Sequence, residues 1–310
     1  MTIQSLQGSI VAIVTPFKEN GAIDYDAYNR LLEFHLENNT EGIVVCGTTG
    51  EAATLSSEEY ASLIKFTTEK INGRIPVIVG AGSNSTEKAL LHAQAAEENG
   101  ADALLIVNPY YNKPNKKGIL HYYQSISKVT SLPIIMYNVP SRTGFNMDAD
   151  LTLDIARKVP SIIGTKEASG NLEQVMELIQ KRPEGFKVFS GEDNLAYSIT
   201  ALGGDGCVSV IANQVPYDFQ LLLKNVRENN LEEARQIHYR LFNLMQLNFI
   251  ESNPIPVKTS LAKMKLINNN YRSPLCSMEN PENEKLLSAE LQKLGLINIT
   301  EQTEALSIQA

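Results

Sequence analysis

Short apolar runs alternate with amphipathic stretches from the N-terminus to about residue 227. The runs at 9–14, 42–46, 76–79, 103–107, 133–137, 162–166, 187–190 and 207–210 are nearly continuous in hydrophobicity. Continuity of that kind, without alternation, is expected of parallel strands covered on both faces. Between the runs, apolar residues recur at helical spacing, as Tyr60, Leu63 and Ile64 do on one face. Ser56 followed by Glu59 makes a capping box before that helix, and Asn84 followed by Glu87 repeats the signal before Ala89, Leu90, Ala93 and Ala96. Asp148 and Asp193 put acid at the start of two later helices. Strands and helices alternating in this way predict an α/β fold, a closed (β/α)8 TIM barrel over residues 1–227. An open doubly wound sheet would need a glycine-rich phosphate loop after its first strand, and Thr15-Pro16-Phe17-Lys18 offers none. Beyond the barrel, 231–249, 257–264 and 282–294 read as helices. They form a C-terminal helical extension, 228–298, on the barrel's flank. Residues 299–310 lack a pattern and are expected to be a disordered tail.

Composition narrows the function classes. The 310 residues are 43% hydrophobic and 20% charged, which is ordinary for a globular protein with ample core. A formal net charge of −8 and the lack of any basic stripe argue against a nucleic-acid binder. Lys113, Lys116 and Lys117 form the notable basic cluster, which a solvated loop accounts for. Cys46, Cys207 and Cys276 are odd in number and have no paired spacing. The first two lie in apolar runs and read as small buried hydrophobes in a reducing compartment. No cationic-then-apolar segment opens the chain, and no apolar run approaches the roughly 20 residues of a membrane span. The expectation is a cytoplasmic protein.

Chemistry concentrates where the strands should end, since active sites of such barrels lie at the strands' C-terminal face. The sixth run delivers Lys166, and burial of a lysine disfavours its charged form. That cost is useful where an amine must be neutral to attack a carbonyl. A lysine snorkelling from the sheet rim is the plain alternative. Tyr137 ends the preceding run with a phenol able to carry protons. Thr48 and Thr49, in Gly47-Thr48-Thr49-Gly50-Glu51, offer hydroxyls and N–H groups to an anion, although glycines also serve an ordinary turn. Arg142, between proline and glycine, suits bidentate binding of a carboxylate. Neighbouring strand residues face opposite ways, so Glu167 points out if Lys166 points in. The set suits a keto acid held as a Schiff base and joined to a second acidic molecule. His35, His92, His121 and His238 fall in helical stretches with no ligand spacing, and no cysteine pair exists, so no metal is expected. Gly191, Gly203, Gly204 and Gly206 would suit a phosphate, but Glu192, Asp193 and Asp205 beside them would repel one. Use of Lys166 by pyridoxal phosphate is therefore disfavoured, and no cofactor is needed.

Three segments carry a resemblance. They are Gly47-Thr48-Thr49-Gly50-Glu51, Tyr137-Asn138-Val139-Pro140-Ser141-Arg142-Thr143-Gly144 and Gly164-Thr165-Lys166-Glu167-Ala168-Ser169-Gly170. They resemble the 4-hydroxy-tetrahydrodipicolinate synthase (dihydrodipicolinate synthase) family of pyruvate-dependent aldolases and lyases. The similarity runs from Gly8-Ser9-Ile10 through Asn253-Pro254-Ile255-Pro256-Val257-Lys258 to about Leu296. It implies a lyase that condenses pyruvate with L-aspartate 4-semialdehyde, the first committed step toward diaminopimelate and lysine. By resemblance, Lys166 forms the Schiff base, and Tyr137 carries protons through the Thr49 hydroxyl to Tyr111 of a neighbouring subunit. Thr48 and Thr49 seat the pyruvate carboxylate, Arg142 binds that of the semialdehyde, and Gly191 and Val208 line the pocket. A homotetramer built from two tight dimers is also implied.

N-acetylneuraminate lyase and 2-keto-3-deoxy sugar acid aldolases share the scaffold, the lysine and the tyrosine. Thr48-Thr49 differs from the Gly-Ser-Thr-Gly-Glu pattern that neuraminate lyases resemble, and Arg142-Thr143-Gly144 matches a short acidic aldehyde rather than a polyol. A catalytically silent binding barrel would be expected to have lost Lys166, Tyr137 or Tyr111, and all are present. One departure concerns regulation. Lysine-inhibited members resemble one another in a serine, two histidines and a glutamate at a dimer-interface site. Here those positions hold Ala52, Ser57, Tyr60 and Lys88, although Asn84 and Tyr110 are retained, so inhibition by L-lysine is expected to be weak or absent.

Overall fold

Each apolar run becomes a short strand whose residues are almost all buried. In the computed structural model, which describes Ile3 and residues 6–298, the strands are β1 Gly8–Ala12, β2 Gly42–Val45, β3 Val77–Gly80, β4 Ala103–Val107, β5 Ile134–Asn138, β6 Ile162–Glu167, β7 Lys187–Ser190 and β8 Gly206–Ser209. Each pairs in parallel with the next, and β8 returns to β1, so the sheet closes into a barrel. Its helices are α1 Tyr25–Glu37, α2 Ser57–Ile71, α3 Thr86–Glu98, α4 Lys116–Ile126, the single turn α5 Pro140–Thr143, α6 Ala149–Lys158, α7 Leu172–Lys181, α8 Ala196–Ala201 and α9 Pro216–Arg227. The expected TIM barrel is the observed fold. Among the described residues, no helix is long and apolar enough to cross a membrane.

The sequence signals for strand and helix ends hold with local exceptions. Ser56 and Glu59 form the reciprocal capping box of α2, and Asp148 caps α6. The first run stops at Ala12 because the Val14 amide donates instead to Asn213 Oδ1, at 3.1 Å. Helix α3 is capped by Ser85 rather than Asn84, whose carbonyl is engaged by Asn112 Nδ2. Asp193 opens only a 3-10 turn, and its carboxylate crosses to the amides of Val210 and Ile211.

Two apolar layers result. Side chains such as Ile10, Val44, Ile78, Leu105, Phe189 and Val208 fill the lumen, with Tyr137 and Ile163 against them. A larger layer packs the strands' outer faces against the helices. The aim of β6 depends on an irregularity. Ile134 pairs with Ile162 but Ile135 pairs with Gly164, so Ile163 is an extra residue. An extra residue shifts which side chains face inward. Beyond it Tyr137, Lys166 and Phe189 are register partners across three strands, and Tyr137 and Phe189 are luminal. Lys166 therefore faces the lumen. Gly164 permits the bulge, for a Cβ there would lie 2.6 Å from the Lys187 carbonyl oxygen.

The C-terminal helices are α10 Leu231–Leu247, α11 Ile255–Lys263 and α12 Pro281–Lys293. Helix α10 packs on α9 and α12, as its length and pattern suggest. The chain from α10 to α12 also reaches across the barrel to the loop after β2. Lys258 is fully buried and ion-paired to Glu51, with its Nζ 4.5 Å from the Phe17 ring centroid. Arg272 donates its amide to Glu51 and its guanidinium to Glu59, Thr54 and Gly21. The expected tail at 299–310 lies outside the described residues.

Candidate active site

The luminal lysine lies at the C-terminal face of the barrel, 6% exposed. Its Nζ is 4.3 Å from the centroid of the Tyr137 ring. Space for its stem comes from Gly191, just past β7. A Cβ at that position would lie 3.0 Å from Lys166 Cε and 2.7 Å from Ala168 Cβ. The Gly191 amide donates to Glu167 O at 2.7 Å, which holds this bare stretch of backbone against β6. Val208 sits in the luminal cluster beneath. Thus Lys166, Tyr137, Gly191 and Val208 converge as their positions in the sequence suggest.

Glu167 points to the opposite side, as strand geometry requires. Its carboxylate accepts from Asn138 Nδ2 at 3.0 Å, Gln174 Nε2 at 3.1 Å and the Ser169 amide at 2.9 Å. Burial pushes its carboxyl above the usual range, and those hydrogen bonds oppose the shift. It belongs to the packing between β5, β6 and α7 rather than to the lumen. Asp193 is a second buried carboxylate. Burial raises it, while its hydrogen bonds to Ser209, Ile211 and Val210 and the positive charge of Lys166 nearby pull the other way. Its 2.8 Å bond to the Ile211 amide fixes the turn after β8.

The loop after β2 supplies a seat for an anion. The amides of Gly50, Glu51 and Ala52 turn back to the carbonyls of Gly47 and Thr48. Among the described residues, those of Thr48 and Thr49 meet no protein acceptor. Thr48 is exposed at the mouth and Thr49 is buried. Glu51 holds a left-handed backbone at φ 54°, unusual for a residue other than glycine, and the buried Lys258 fixes it there. Local strain at a candidate substrate loop is thus held in place by the C-terminal segment.

Arg142 is on α5 at the rim, exposed, with its Nη2 3.2 Å from Asn253 O. Tyr111, in the loop after β4, is 89% exposed and also left-handed, at φ 71°. Among the described residues, no hydrogen bond joins its hydroxyl to Tyr137 or Thr49 of its own chain. Instead of engaging either tyrosine, the Thr49 hydroxyl accepts from Asn253 Nδ2 at 3.0 Å. Asn253, Lys258 and Asp193 are the residues that strand-end reading passes over. Lys258 carried the same sequence signal as Lys166, a lysine in an apolar run.

Among the described residues, no group of three or more His, Cys, Asp and Glu side chains is arranged to hold a metal. Cys46 and Cys207 are buried, and burial raises both thiols. His35 is buried inside the helical layer and its imidazole is pushed down to about 3.

Residues 5–293 match the family model described as the dihydrodipicolinate synthetase family. The chain is 47% identical over 298 residues to the 4-hydroxy-tetrahydrodipicolinate synthase of Prosthecochloris aestuarii, covering 96% of this chain and 100% of the relative. It is similar to the solved dihydrodipicolinate synthase from Aquifex aeolicus, with a TM-score of 0.92 at 41% identity over 95% of this chain and 100% of that one. A chloride-inhibited dihydrodipicolinate synthase from Acinetobacter baumannii, solved with pyruvate, matches with a TM-score of 0.91 at 40% identity, covering 94% and 99%.

Proposed function

Because the chain belongs to the dihydrodipicolinate synthetase family, we infer that it is a lyase that condenses pyruvate with L-aspartate 4-semialdehyde in lysine and diaminopimelate biosynthesis. The observation that carries the reading is the buried Lys166 on the luminal face, with Tyr137 beside it and Gly191 making room.

In the proposed reaction, neutral Lys166 Nζ attacks the keto carbon of pyruvate, and loss of water gives the Schiff base. A proton then leaves the pyruvate methyl to form the enamine. Its carbon attacks the aldehyde, whose oxygen takes a proton. The substrate's amine adds to the Schiff-base carbon and expels Lys166, closing the ring. Tyr137 is the proposed proton carrier. Free amides at Thr48 and Thr49 support their assignment as the carboxylate seat, and the exposed guanidinium of Arg142 at the rim supports its role toward the second carboxylate. Gly191 and Val208 are the proposed pocket lining. The proposed catalytic group is Lys166, Tyr137, Thr49 and Tyr111, the last lent by a neighbouring subunit. Its exposed ring and left-handed backbone support that loan.

We further propose a homotetramer, a cytoplasmic location consistent with three free thiols, and a barrel over 1–227 with its extension over 228–298. Turnover is the test. The purified enzyme is expected to consume aspartate semialdehyde with pyruvate and to leave N-acetylneuraminate uncleaved. The reverse preference overturns the reading.

A further inference from the structure

We propose that Glu167 is a positioning residue whose outward carboxylate ties β6 to β5 and thereby sets where the Lys166 amine lies against Tyr137. The inference rests on Lys166 forming the Schiff base as given above. Tyr137 and Lys166 are register partners on the luminal face, and the next pair along, Asn138 and Glu167, are register partners on the outer face. Among the described residues, the Lys166 amine makes no hydrogen bond or ion pair, and its contact is with the Tyr137 ring. Its position is therefore set by the backbone that carries it. That backbone follows the extra residue Ile163, and a bulge bends and twists the strand that contains it. The end of β6 has to be fixed from outside the lumen.

Glu167, 1% exposed, is placed to do this. Asn138 Nδ2 lies 3.0 and 3.1 Å from its two carboxylate oxygens, Gln174 Nε2 on α7 lies 3.1 Å from one, and the Ser169 amide donates at 2.9 Å. The orientation of the Asn138 amide is fixed independently, because the Met147 amide, which can only donate, meets Oδ1 at 3.0 Å. Nδ2 is thus the atom that faces the carboxylate. Polar satisfaction of the neighbours does not require Glu167. Without it, Asn138 Nδ2 keeps Asn146 Oδ1 at 2.8 Å and Met147 O at 3.3 Å, and Gln174 Nε2 keeps the same two atoms at 3.3 and 3.0 Å. Burying a carboxylate is costly, and burial raises this one above its usual range. What the carboxylate adds is a tie between two strands directly behind Tyr137 and Lys166. On its other flank, Glu167 O accepts from the Gly191 amide at 2.7 Å, so the same residue holds the glycine that makes room for the lysine stem.

The test follows how fast borohydride-trapped pyruvate accumulates on the protein, beside kcat/KM for pyruvate, in the wild type, Glu167→Leu, Glu167→Gln and Gln174→Leu. Leucine removes the tie, so both quantities are expected to fall roughly 10- to 100-fold, the cost of displacing a reacting group by up to about 1 Å. The final amount of adduct should equal that of the wild type, since the amine is still present. The thermal midpoint should stay within about 2 °C, because the neighbouring donors keep other acceptors. Glu167→Gln retains a neutral acceptor for Asn138 and is expected to recover part of the loss, lying about threefold below the wild type. It also decides the matter if the leucine variant does not fold. Gln174→Leu leaves the cross-strand bond in place and is expected to trap pyruvate within about twofold of the wild-type rate. A wild-type rate in Glu167→Leu or Glu167→Gln overturns the inference. So does a rate that falls only together with the thermal midpoint, and so does a Gln174→Leu variant slowed as much as Glu167→Leu. A wild-type enzyme that gives no adduct on Lys166 overturns the Schiff-base reading itself, and the inference with it.

Discussion

Replacing Lys258 with methionine removes the counter-charge of a carboxylate inside the protein. The side chains of Lys258 and Glu51 are 0% and 1% exposed, so water reaches neither. Burial pulls the Lys258 ammonium below its ordinary range, and the charge of Glu51 partly offsets that pull. Methionine keeps an unbranched apolar side chain in this place but removes the ammonium that lies over the Phe17 and Tyr271 rings, and it leaves Glu51 with one donor, the Arg272 amide at 3.2 Å. Removing one partner of a buried pair costs about 3–5 kcal/mol, and the surviving amide bond points to the lower end. A chain of this size moves roughly 2 °C per kcal/mol, so the melting midpoint should fall by about 6 °C. Because Glu51 fixes the loop that carries Thr48 and Thr49, the KM for pyruvate should rise as well. The double variant Glu51→Leu/Lys258→Met should regain most of the lost stability, since a buried pair is worth little against apolar residues of similar volume. Thermal melts of the three variants and pyruvate titrations of Lys258→Met decide the matter. A fall of less than about 2 °C with unchanged pyruvate KM would refute the claim that this pair holds the loop.

Three further outcomes are expected. Mixing Tyr111→Phe with Lys166→Ala subunits should restore part of the activity in verified mixed dimers, because one site then has both an intact lysine and an intact borrowed hydroxyl; mixed dimers as inactive as their parents rule the loan out. L-lysine should inhibit weakly or not at all, since Tyr60 is stacked on His92 with its hydroxyl bonded to Gly80 O and Lys88 is an exposed cation; strong inhibition below millimolar lysine in a steady-state assay contradicts this. Finally, His35 is held neutral down to about pH 3 in the folded state, whereas the unfolded chain takes up its proton below about 6.5, so stability falls as pH drops through that window. The loss attributable to His35 is about 2 kcal/mol at pH 5, and His35→Phe should flatten denaturant midpoints between pH 7 and pH 5; an unchanged slope assigns the effect elsewhere.

Strand order and the rim position of Lys166 and Tyr137 were legible because buried parallel strands write continuous apolar runs, and barrel chemistry gathers where those runs end. The inward aim of Lys166 was legible only in part. Simple alternation relates Lys166 to Glu167 correctly, but the bulge at Ile163 decides which of the two enters the lumen, and no residue pattern announces it. The partners of Asn253 and Lys258 were less visible still. Each acts about 200 positions from its partner in the β2 loop, joined only through the closed barrel. Asp193 reads as an ordinary helix-start acid, yet its carboxylate serves amides across the β8 turn.

The central claim is that the Lys166 amine forms the covalent intermediate. Incubating the enzyme with pyruvate and borohydride, followed by peptide mass mapping, tests it directly. The account predicts a stable adduct on the peptide bearing Lys166, absent from Lys166→Arg, whose guanidinium stays protonated and supplies no neutral amine. An adduct confined to another lysine, or undiminished turnover in Lys166→Arg, would contradict it.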